Sequence, residues 1–126
     1  MTELPFKLTG TVTHGRSAGR TIDMPTANIV PAEDVGALSL GVYYSTVTVD
    51  GTVYKAITNL GRRPTIDDGN FVNAESFIYD FEGDLYGKEI AVTLLEFRRP
   101  ERKFESFEAL SKVMHEDLEE GKKYRL

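Results

Sequence analysis

A chain of 126 residues fits one domain built on a single core, so residues 1–126 are read as one domain without a second catalytic unit. It contains no cysteine, which excludes disulfides, thiolate metal sites and Cys nucleophiles and agrees with a reducing cytoplasm. The 20 Asp and Glu outnumber the 15 Lys and Arg, giving a net charge of −5 that disfavours nucleic-acid binding, and no apolar run approaches a membrane span or a secretory leader.

In chain order, Leu8 to Thr13 alternates bulky and small residues and reads as a first strand. Gly41 to Val49 and Thr52 to Thr58 are rich in Val, Tyr and Thr and flank Asp50-Gly51, a strong hairpin signal. Glu75 to Phe81 and Glu89 to Phe97 read as two more strands, separated by a turn region with Gly83, Asp84 and Gly87. The period then changes: Phe107, Leu110, Met114 and Leu118 recur at helical spacing. Ser106 suits the N-cap, Glu108 the first turn, and Gly121 with Lys122 and Lys123 the C-terminal end. Many short strands and one late helix point to a small antiparallel barrel with the helix over an open side.

Four segments offer chemistry. His14 to Arg20 carries two glycines and two arginines, a composition that can cradle phosphate but equally makes a flexible surface turn. In Pro25-Thr26-Ala27-Asn28, a Thr and an Asn two apart place two oxygens on one face of an extended segment. Magnesium accepts such neutral oxygens when nucleotide phosphates complete its shell, whereas the bland alternative is a turn satisfying its own backbone. Glu75 is a carboxylate at the start of an apolar strand, either a general base or a solvated strand residue. Arg99 to Phe104 joins guanidinium planes to an aromatic ring and can hold a planar heterocycle, or simply form a basic loop with Phe104 in the core. His14 and His115 are too isolated to suggest a metal pair.

Taken in this order, the pieces resemble the riboflavin kinase family, the ATP-dependent flavokinases. The resembling residues are Gly10-Thr11-Val12 with His14-Gly15, Gly19-Arg20, Pro25-Thr26-Ala27-Asn28, Gly41-Val42-Tyr43 and Asn59-Leu60-Gly61 with Arg63-Pro64-Thr65. They continue through Glu75, Asp80-Phe81, Asp84-Leu85-Tyr86-Gly87, Arg99-Pro100-Glu101, Lys103-Phe104, Ser106 and Glu108-Ala109-Leu110.

The resemblance implies a mainly β fold: a six-stranded antiparallel Greek-key β-barrel with a C-terminal α-helix, binding MgATP on one side and riboflavin on the other. It implies a kinase that converts riboflavin and ATP to FMN and ADP, with Mg2+ held by Thr26 and Asn28 and Glu75 as catalytic base. Nucleotide contacts carry over to Gly15, Arg20, Ile78, Asp80 and Tyr86, and flavin contacts to Arg99, Arg102, Phe104 and Glu108. Ser76-Phe77 replaces the Thr-His common after the family's Glu, Met24 departs from the usual residue before the Pro, and Arg98 stands for a usual Leu. Bacterial relatives often carry an FMN adenylyltransferase domain, whose nucleotidyl motif is not found in this sequence. The chain is thus expected to be a stand-alone kinase or the kinase half of a bifunctional enzyme. The rival expectation is a non-catalytic flavin-binding regulatory module on the same barrel.

Overall fold

The computed structural model describes residues 4–13, 26–64, 70–101 and 104–125. Among these, six strands form one antiparallel sheet: β1 (Phe6–Thr11), β2 (Thr26–Ile29), β3 (Gly41–Val49), β4 (Thr52–Pro64), β5 (Asn70–Ile78) and β6 (Glu89–Pro100). A single helix follows, α1 (Phe107–Lys123). The strand order is β1-β6-β3-β4-β5-β2. β3, β4 and β5 are consecutive neighbours and β6 returns to lie beside β3, which is the Greek-key connection.

The hairpin joining β3 to β4 is the Asp50-Gly51 turn, with φ of 48° and 83° at the two residues and Val49 paired to Thr52. Positive φ at both central positions matches the right-handed twist of the flanking strands. The sheet curls into a half-barrel. Its two edges approach one another where Thr13 N donates to Asn28 O at 2.8 Å and Ala32 N to Thr9 O at 2.9 Å. Glu33 fastens the same seam by accepting from the Thr9 amide at 2.7 Å and from the Thr9 hydroxyl.

Leu8, Ile29, Tyr43, Val47, Leu60 and Ile78 share the apolar interior of this curl. Three hydroxyls also face inward and satisfy each other, Ser45 with Thr58 and Thr58 with Ser76, each at 2.8 Å. The opposite face of the sheet carries α1. Tyr44 on that face stacks on Tyr124, with ring centroids 4.3 Å apart, and the Tyr79 hydroxyl donates to Leu118 O at 2.6 Å. Burial, with the charges of Asp117 and Glu119 close by, pushes the Tyr79 phenol well above its usual range, so it stays a donor.

Several boundaries differ from the sequence expectation. β4 runs on from Thr58 to Pro64 because β5 begins at Asn70 and pairs with the extension. β5 stops at Ile78 instead of Phe81, since Asp80 adopts a φ of 56° that a strand cannot hold. β6 continues past Phe97 to Pro100 through an irregularity in its pairing with β3. Ser106 is the N-cap as expected, accepting from Ala109 N at 3.1 Å. Gly121 does not end the helix. It lies within the last turn, where a Cβ would come within 2.5 Å of the Tyr79 hydroxyl and 2.6 Å of Ile57, so its role is close approach to the sheet.

Candidate functional site

Antiparallel register lines up one row of residues across the sheet. Asn28 on β2 is opposite Glu75 on β5, Glu75 is opposite Asn59 on β4, Asn59 is opposite Val42 on β3, and Val42 is opposite Arg99 on β6. Residues directly opposite share a face, with Cβ atoms about 4.5–5.5 Å apart, so the whole row projects from one side. That side is the one carrying α1, because the alternate residues Ala27, Ala74, Leu60 and Tyr43 belong to the interior. Sequence-distant candidates, Asn28, Glu75 and Arg99, therefore lie along one line over the outer face.

At the β2 end of the row the Asn28 side chain is held in place. Asn28 is 5% exposed, and Asn73 Nδ2 donates to its Oδ1 at 3.0 Å, which fixes the side-chain amide. Its main chain is pinned on two sides, by β5 and by the bridge to Thr13. An amide oxygen has two acceptor positions, so Oδ1 keeps one after accepting from Asn73. Thr26 lies two residues earlier on the same face, half-buried and opposite Phe77. This donor set suits a hard cation such as Mg2+ that takes oxygen ligands and keeps waters. Among the described residues no cluster of three or more His, Cys, Asp or Glu competes for one.

Glu75 is 4% exposed, in the middle of β5, and so is not a solvated strand residue. Ile78 is fully buried on the opposite face, in the barrel core, which leaves only its main chain for a ligand. Asp80 is exposed in the turn after β5, and Tyr86 is exposed in the loop before β6, where its amide donates to Asp84 Oδ1 at 2.9 Å. Phe104 is half-buried just ahead of α1, and Glu108 is exposed in the first helical turn. Gly15, Arg20 and Arg102 lie outside the described residues.

The β6 end of the row holds a group that sequence reasoning missed. Asp117, 4% exposed, accepts from Arg99 Nη2 at 2.6 Å, from Arg99 Nε at 3.0 and 3.2 Å, and from Arg98 Nε at 2.8 Å. A signal existed: Asp117 is three residues after Met114 and seven after Leu110, an acidic residue on the apolar stripe of α1. Asn73 was also overlooked, and here the signal was only its position two residues before Glu75, on the same face of β5.

A family model described as flavokinase, riboflavin kinase, matches residues 2–125. The chain belongs to the riboflavin kinase family. Mouse riboflavin kinase is 33% identical over 129 residues, covering 98% of this chain and 83% of the mouse protein. The bifunctional riboflavin kinase/FMN adenylyltransferase of Listeria monocytogenes is 35% identical over 120 residues, covering 95% of this chain but 38% of the Listeria protein. The chain thus spans well under half of this bifunctional relative. A crystal structure described as a macrolide-efflux protein from Streptococcus pneumoniae superposes with a TM-score of 0.81 at 32% identity, over 96% of this chain and 40% of that one. No helix among the described residues is long and apolar enough to cross a membrane. Membership of the riboflavin kinase family fits the mainly β fold, and the chain matches only a minor part of the length of the bifunctional relatives.

Proposed function

We propose that this chain is a riboflavin kinase that transfers the γ-phosphoryl group of ATP to the terminal ribityl hydroxyl of riboflavin, giving FMN and ADP. The observation that carries the reading is the register that sets Glu75 directly opposite Asn28, with Thr26 on the same face. A proton acceptor and a pair of neutral oxygens beside it are what phosphoryl transfer to an alcohol requires. In the forward step the ribityl oxygen attacks the γ-phosphorus as Glu75 accepts its proton, and the bond to the β,γ-bridging oxygen breaks to release ADP. Thr26 and Asn28 would hold Mg2+, which when bound neutralises charge on the phosphates.

The remaining residues do positioning work. Asp80 and Tyr86, with Ile78 through its main chain, would serve the nucleotide, and Arg99, Phe104 and Glu108 the flavin; Gly15 and Arg20 for the nucleotide and Arg102 for the flavin are assigned by the resemblance alone. Orientation of the two substrates supplies most of the acceleration. The protein would work in the cytoplasm on small molecules alone, and FMN adenylylation would fall to a separate domain or enzyme.

A flavin-binding module without turnover is the other reading, and a buried carboxylate beside Asn28 counts against it, since a binder has no use for a base. Incubation of the purified chain with riboflavin, Mg2+ and ATP, followed by chromatography for FMN, tests the proposal. Stoichiometric appearance of FMN and ADP is expected. Riboflavin binding with no FMN formed would overturn it in favour of the module.

A further inference from the structure

In a regular strand Arg98 and Arg99 would point to opposite faces, yet both guanidinium groups reach the same carboxylate on α1. The cause is in the register: Val42 pairs with Arg99 and Tyr43 with Phe97, so Arg98 is an extra residue with no opposite number on β3. Such a bulge bends the strand and re-aims side chains. It turns Arg98 to the helix side, where its Nη1 also donates to the Tyr44 hydroxyl at 3.2 Å.

The contact constrains Arg99 in a particular way. Asp117 takes Nε and Nη2, and Nη1 donates to Pro100 O at 3.2 Å. The edge of the guanidinium is largely spoken for, and what remains presentable is its plane, on a side chain 20% exposed. A guanidinium clamped along one edge is suited to stacking on a flat conjugated ring.

We infer that Asp117 is a positioning residue for the flavin: from α1 it clamps Arg99 so that the guanidinium plane, not its hydrogen-bonding edge, meets the isoalloxazine ring. The inference rests on the reading of Arg99 as a flavin contact. It makes the C-terminal helix part of the riboflavin site although the helix lies outside the barrel. Loosening the clamp restores rotamer freedom to Arg99, and the cost falls on riboflavin alone.

Riboflavin fluorescence titrations with Asp117→Asn, Arg99→Ala, the double variant and Arg98→Leu provide the test, together with KM for ATP and melting curves. Asp117→Asn should weaken riboflavin binding about five- to tenfold, Arg99→Ala at least as much, and the double variant no more than Arg99→Ala alone. KM for ATP should hold in Asp117→Asn. Arg98→Leu, which keeps the Arg99 pair, should lower the melting temperature while riboflavin affinity stays within about twofold, separating helix anchoring from flavin positioning. If Arg99→Ala weakens binding but folded Asp117→Asn does not, the role of Asp117 falls and that of Arg99 stands. If both bind as the parent does, both fall, and simple additivity in the double variant likewise rejects the clamp. Should Asp117→Asn not fold, Asp117→Glu keeps the charge but displaces the guanidinium, and parental affinity in that variant would overturn the proposal.

Discussion

Asn28 and Glu75 face one another across the β2–β5 pair, both nearly fully buried, although 46 positions separate them in a chain whose β2 is only four residues long. Their proximity is a property of strand register and not of any local motif. The consequences divide into the chemistry proposed for the pair and the stability supplied by the seam and the helix.

Replacing Glu75 by Gln keeps side-chain shape and removes the proton acceptor. Turnover should fall on the order of 10²-fold or more with riboflavin and ATP affinities nearly unchanged. Steady-state kinetics with both substrates varied provide the check. A raised KM for riboflavin with parental kcat would mean a positioning carboxylate and reject the base.

Asn28→Ala should abolish most of the gain in ATP affinity that Mg2+ confers, seen by calorimetric titration of ATP with and without the metal. Asn73→Ala leaves the ligand but frees its amide to rotate, and a loss on the order of 1 kcal/mol in the same Mg2+-dependent term is expected. Riboflavin affinity should not respond to either change. Equal Mg2+ dependence in Asn28→Ala and parent would remove Asn28 from the metal site.

Gly121→Ala gains helix propensity of up to about 1 kcal/mol but forces a methyl into Ile57 and the Tyr79 hydroxyl, which is tied to Leu118 O. Overpacking typically costs about 1–3 kcal/mol, so the net effect should be destabilising. A melting temperature at or above that of the parent would show that the sheet and helix can part without cost.

The pH dependence of the seam has a definite sign. Burial raises the Glu33 pKa, but hydrogen bonds from the Thr9 hydroxyl and amide outweigh it and hold the carboxyl below the usual carboxylate range. Its contribution is therefore full above the unfolded-state pKa of about 4.3 and is lost as pH falls through the lower folded value. Glu33→Gln should melt below the parent at neutral pH, and the gap should close in strong acid. A gap that persists unchanged at low pH would refute the carboxylate latch.

Local signals in the sequence were sufficient for Asp50-Gly51, whose positive φ values are printed in the residue types, and for Ser106, whose hydroxyl caps α1. Thr26 and Asn28 were legible as one face of an extended segment for the same reason, a period of two. What escaped was set by tertiary context. Gly121 looks like a helix stop, yet it is the place where α1 touches Ile57. Arg98 reads as a basic residue after a strand, but only the pairing of β6 with β3 reveals it as a bulge. Asp117 is invisible as a partner of Arg99 until the helix is laid on the sheet.

A four-residue edge strand that carries Thr26 and Asn28 makes alignment an all-or-none matter. Sliding β2 by one position along β5 would turn Ala27 and Ile29 outward and bury the two oxygen donors in oil, leaving a compact protein with a silent site. The Thr13 bridge and the Glu33 latch at the seam thus act as proofreaders of assembly, and specific activity per folded molecule becomes a gauge of how faithfully the curl has closed.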